Sequence, residues 1–125
     1  MIRHPIGDRT TKLVAAIVLV MLATACGNDG GDPPACDNPR TTTSVTMGDF
    51  FYEPTCVQAS PGGELEVVNE GQAPHTFTVE AETVDVEADV PAGERATLSV
   101  PDLEAGTYRV TCTYHPQMEA ALRIT

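Results

Sequence analysis

From Ser44 to the C-terminus, no stretch carries apolar residues at helical spacing for three turns, because Pro or Gly interrupts most windows long enough to hold one. In place of a helical period stand short runs of β-branched and aromatic residues, punctuated by Gly, Pro, Asn and Asp. Leu65-Glu66-Val67 and Tyr108-Arg109-Val110-Thr111-Cys112 alternate most clearly, as strands with one buried and one wet face do. Strands are expected at Ser44–Met47, Cys56–Ala59, Glu64–Asn69, Thr76–Glu80, Val84–Val86, Arg95–Val100, Thr107–Cys112 and Ala121–Ile124. Between them, Ser60-Pro61-Gly62-Gly63, Asn69-Glu70-Gly71 and Pro91-Ala92-Gly93 have turn chemistry. This texture predicts an all-β fold, a Greek-key two-sheet β-sandwich of about eight strands.

The first 25 residues do not read as part of that sandwich. Arg3, Arg9 and Lys12 precede an uncharged apolar run, Leu13 to Ala23, which is short for a bilayer span and ends in small residues. Residues 1–25 therefore read as an export signal. The junction Ala23-Thr24-Ala25-Cys26 resembles the lipobox of bacterial lipoproteins, although Leu22 stands one place further from the cysteine than usual. On that resemblance Cys26 is lipidated and holds the protein on the outer face of the cytoplasmic membrane; the alternative is plain secretion or a periplasmic protein. A fatty-acid label is expected to mark the wild type and not Cys26→Ser, and equal labelling would exclude the anchor. Residues 26–43, beginning Gly-Asn-Asp-Gly-Gly-Asp-Pro-Pro after the cysteine, read as a solvated tether, and 44–125 as the domain.

Processing at Cys26 removes three of the seven basic residues and one of the 18 acidic ones, leaving 4 basic, 17 acidic and a formal charge of −13. Such a surface argues against nucleic acid or anionic lipid as a partner. It favours a basic protein, met at rates that fall as salt rises.

Chemistry concentrates in Cys112-Thr113-Tyr114-His115-Pro116-Gln117-Met118, with a second histidine upstream in Ala73-Pro74-His75-Thr76-Phe77. Singly, each side chain has an ordinary reading: His75 a carbonyl-bonded strand residue, His115 surface, Cys112 a buried thiol, Met118 core filler. Together, two imidazoles, one thiolate and a weak thioether make a donor set suited to one copper ion in both oxidation states. Structural zinc prefers four Cys/His donors and catalytic zinc His with carboxylate, so methionine fits neither. There is no His-x-His pair, no second cysteine near Cys112, and no Ser/His/Asp or paired-carboxylate set, so an enzyme is not expected. With Cys26 given to lipid and Cys112 to metal, Cys36 and Cys56 are left to pair in an oxidising compartment, or else remain two free thiols.

From about Ser44 onward the chain resembles the cupredoxins, the blue-copper family. The residues that carry the likeness are C-x2-H-x2-M after a strand, His75 at a strand head, Phe51 with Pro54, Gly63 before Val67-Val68-Asn69, Ala92-Gly93 before Arg95–Val100, and Gly106-Thr107-Tyr108 leading to Cys112. The compact ligand loop looks most like amicyanin-type small bacterial members. The resemblance implies Cys112 as thiolate ligand, His75 and His115 as imidazole ligands, and Met118 as axial ligand. Amides usually donate to the sulfur at metal sites, and Thr76 or Asn69 is expected to do so here. Glu119-Ala120 departs from the basic or small residue and Gly that often follow the Met, and Cys36 and Cys56 lie outside the ligand pattern. The function implied by the resemblance is a one-electron carrier with His115 near the surface, beside Pro74, Pro116 and Met118; the acidic charge adds the expectation of a basic partner such as a cytochrome or oxidase, and a monomer is expected. The alternatives are copper storage or delivery by the same donors, and a metal-free adhesive sandwich if the donors do not converge.

Overall fold

The computed structural model describes residues 31–82, 84 and 86–125. The expected signal (1–25) and Cys26 lie outside these. Ten strands form among the described residues: β1 (Arg40–Thr41), β2 (Ser44–Gly48), β3 (Phe51–Glu53), β4 (Cys56–Ala59), β5 (Glu64–Asn69), β6 (His75–Val79), β7 (Val86–Val90), β8 (Arg95–Ser99), β9 (Gly106–Thr111) and β10 (Glu119–Ile124). They make a six-stranded sheet in the order β1-β4-β10-β9-β6-β7 and a four-stranded sheet in the order β3-β2-β5-β8.

Alternation decides which face each strand buries. In β5, Leu65, Val67 and Asn69 point inward while Glu64 stays exposed, and in β7 Val86, Ala88 and Val90 are buried between exposed Glu87 and Asp89. Inward residues of both sheets, among them Val45, Met47, Tyr52, Phe77, Val110 and Leu122, form one core. Burying each large apolar side chain contributes about 1.5–3 kcal/mol, which is what holds the two sheets face to face.

Three elements differ from the sequence expectation. β1 and β3 have two and three residues, too short to show a period. β7 runs to Val90 instead of ending at Val86, because Ala88 and two acids mask a run whose inward face is nonetheless apolar. The sheet also begins at Arg40, ahead of the expected boundary at 44, since β1 pairs in parallel with β4 at Arg40↔Val57. Cys36 and Cys56 are joined in a disulfide with Cα atoms 5.4 Å apart, packed on Ala121 of β10. The bond closes a loop with a sequence separation of 20, so in the chain-entropy account it contributes about 3 kcal/mol. Part of the stretch read as tether is therefore stapled to the fold.

The register brings one end of the sandwich to a point. His75 pairs with Val90, Thr78 with Thr111, and the β9–β10 loop follows directly after Thr111. The β2–β3 hairpin turns at Asp49-Phe50 at this same end, with Asp49 bonded to Gln72 just ahead of β6.

Candidate metal centre

His75 opens β6 and is fully buried, and Cys112 follows β9 at 2% exposure. The loop after Cys112 doubles back tightly: His115 N–H donates to Cys112 O (3.2 Å), Met118 N–H to His115 O (2.9 Å), and Cys112 N–H to Met118 O (3.3 Å). This folding returns His115 toward the cysteine it follows. Cys112 Sγ lies 3.8 Å from His75 Nδ1 and 3.7 Å from His115 Nδ1. The donor atoms of His75, Cys112 and His115 all fall within 4.8 Å of one another, and the two imidazole centroids are 4.9 Å apart. Met118 sits at the foot of the loop, fully buried in the core cluster that contains Cys112. It does not ring His115 at the surface as the sequence suggested. The exposed Phe50 takes that place, its ring edge-on to His115 at 5.0 Å.

Hydrogen bonds hold Cys112 and His75 from behind. Thr76 N–H points at Cys112 Sγ (3.4 Å), whereas Asn69 does not reach the sulfur. Asn69, itself 1% exposed, instead donates to Ala73 O (2.8 Å) and Val90 O (2.9 Å) and accepts from Gly71 N–H (2.9 Å). It thereby fixes the turn that delivers His75. Thr76 Oγ1 accepts from Thr113 N–H (2.8 Å), tying the ligand loop to β6. Tyr52 donates its buried hydroxyl to Thr76 O at 2.6 Å. Burial, and secondarily the nearby Cys112, push that phenol's pKa well above the usual tyrosine value, so it stays a donor.

His75 turns its second nitrogen away from the sulfur: Nε2 lies 3.2 Å from Asp49 Oδ1. The same oxygen accepts from Gln72 N–H at 2.9 Å. The Gln72 amide first, then His75, hold the Asp49 carboxyl below the ordinary aspartate range. Nothing in the local sequence marks Asp49, which stands 26 residues from His75; only the hairpin register brings them together. Glu119 is no free carboxylate either, because Arg109 donates to it and also pairs with Glu80 at 3.8 Å.

The donor chemistry fits one copper ion. Cys112 is the free cysteine among the described residues, and both neighbouring imidazoles face it through Nδ1. One soft sulfur and two nitrogens, with His75 and Cys112 buried and His115 half-buried, is the combination that binds copper in either oxidation state.

A family model described as "Cupredoxin-like domain" matches residues 12–123. Among solved structures, an oxidized point variant of amicyanin superposes with a TM-score of 0.56 at 22% identity, covering 66% of this chain and 80% of that one. A Cu(I) form of another amicyanin variant gives 0.57 at 22% identity, over 71% and 87% of the two chains. A purple cupredoxin from Nitrosopumilus maritimus gives 0.55 at 15% identity, over 67% and 100%. At these identities the likeness is one of fold. No curated protein sequence matches the chain.

Proposed function

The chain belongs to the cupredoxin-like domain family, and from that we propose that it is a one-electron carrier whose copper ion would be held by His75, Cys112, His115 and Met118. One copper ion is the cofactor that the family and the converging His, Cys and His side chains together imply. Cupredoxins are generally electron carriers rather than enzymes. The observation that carries the reading is the meeting of Cys112 Sγ with two imidazole nitrogens, at 3.8 and 3.7 Å, from separate parts of the chain.

Copper supplies a one-electron couple when bound. The protein's part is to keep the donors in one arrangement across both oxidation states. Pro74 and Pro116, each beside a histidine, restrict the backbone there. Buried packing of His75, Cys112 and Met118 excludes water from three donors, while the half-buried His115 leaves a route by which a partner can approach.

Around His115 stand Phe50 (57% exposed), Tyr114 (49% exposed) and Pro116, an apolar landing area. Beside it runs the acidic edge of β7: Tyr114 donates to Asp89 (2.8 Å), and Glu87 accepts from Thr113 (3.0 Å) and Thr78 (2.9 Å). We read the acidic edge as steering for a basic redox protein such as a cytochrome or oxidase, met by a lipid-anchored monomer outside the cytoplasmic membrane. Edge acids also discourage strand-to-strand aggregation, a role that needs no partner.

Reversible cycling by mild oxidant and reductant without loss of metal is expected, together with stopped-flow transfer to a basic partner that slows steeply with ionic strength. Rapid surrender of copper to a weak chelator would instead support delivery, and a salt-independent rate would remove the steering role.

A further inference from the structure

His75 can offer Nδ1 to a metal only if the proton resides on Nε2, and Nε2 is the atom 3.2 Å from Asp49 Oδ1. We propose that Asp49 is the positioning residue for His75. Its carboxylate fixes the Nε2–H tautomer, holds Nδ1 toward Cys112, and favours the more highly charged copper(II) state over copper(I). The inference rests on the copper reading above.

The seat of this carboxylate is built from two places in the chain. Asp49 comes from the β2–β3 turn, and Gln72, just before β6, donates its backbone N–H to the same oxygen at 2.9 Å. Gly71 leaves the space: a Cβ there would collide with Asp49 Oδ1 and lie 2.9 Å from His75 Nε2. The ring it acts on is wholly buried, so its orientation follows the bonds it makes inside the protein.

A backbone carbonyl in this role would orient the ring without adding charge, whereas a carboxylate also raises the basicity of the ligating nitrogen. The side chain of Asp49 is 40% exposed, and water screens part of that charge. The effect therefore belongs at the lower end of the roughly 10–100-fold range that such outer partners exert on metal affinity.

The test uses the full-length, copper-loaded protein. Asp49→Asn keeps an oxygen to accept from Nε2–H and removes the charge. It is expected to weaken copper(II) binding about tenfold relative to copper(I), which raises the one-electron potential by about 59 mV. Asp102→Asn, which removes an equal charge from the β8–β9 connection, should leave the potential near that of the wild type. An unmutated check comes from nitrogen-15 NMR of the copper(I) protein, where His75 Nε2 should be protonated and its proton slow to exchange. The inference fails if Asp49→Asn and Asp102→Asn shift the potential equally, or if Nε2 is unprotonated. A wild type without a thiolate-to-copper band would overturn the underlying copper reading instead. A wild type with that band and an unmoved Asp49→Asn potential overturns the role of Asp49 alone.

Discussion

Replacing Cys112 by Ser is expected to abolish the intense visible absorption of the copper(II)-loaded protein while leaving the sandwich folded. The substitution changes one atom at a site 2% exposed, where a hydroxyl takes up no more room than the thiol and can still accept from Thr76 N–H. What disappears is the soft, polarizable sulfur that both imidazoles face. An alcohol is a hard and weakly acidic donor, whereas copper(I) selects soft sulfur ligands. Loss of affinity should exceed the roughly 10–100-fold range typical of residues that only support a ligand. Visible absorption and far-ultraviolet circular dichroism on the same samples separate the two effects. A blue band that persists in Cys112→Ser would mean that the metal, if bound, sits elsewhere.

Asn69→Ala is expected to lower unfolding stability by about 3 kcal/mol, a large effect for a change that touches no ligand. Asn69 is buried at the end of β5, and its side chain serves three backbone groups: the carbonyls of Ala73 and Val90 and the amide of Gly71. Truncation leaves all three without that partner, and each buried polar group so stranded costs about 1–3 kcal/mol. The loop these bonds pin is the one that delivers His75, so weaker copper binding should accompany the lower urea midpoint. A stability loss below about 1 kcal/mol would show that water or a rearranged turn replaces the side chain.

Asn69 also marks where sequence reasoning stops. Its amide was expected among the candidates for the Cys112 sulfur, yet the strand order turns it toward Ala73 and Val90, leaving the sulfur to Thr76 N–H. The sandwich itself was legible, because β5 and β9 carry an alternation that few other arrangements tolerate. The meeting of His75, Cys112 and His115 could be anticipated from chemistry, since these side chains have an obvious joint use. Asp49 had no such signal: a lone aspartate in a turn is ordinary, and its meaning comes only from pairing across the fold with His75. Phe50 was equally hidden. Its backbone takes φ 72°, a region that bulky side chains seldom occupy, and the packing of its ring on His115 follows from that turn. The short β1 and β3 are products of the partners that flank them rather than of any pattern of their own.

The disulfide has a mechanical consequence. Tension arriving from the chain ahead of Cys36 has a covalent path to Cys56, so it enters the six-stranded sheet at β4 without first peeling β1 away. β4 lies alongside β1 and β10 in parallel, and β10 is held on its far side by β9. A pull therefore reaches the hydrogen-bonded rows of this edge first, entering opposite Ala121, which pairs with Cys56 and stands three residues past Met118. The disulfide thus fixes where load from the chain ahead of Cys36 passes into the sandwich: on β4, level with Ala121 of β10.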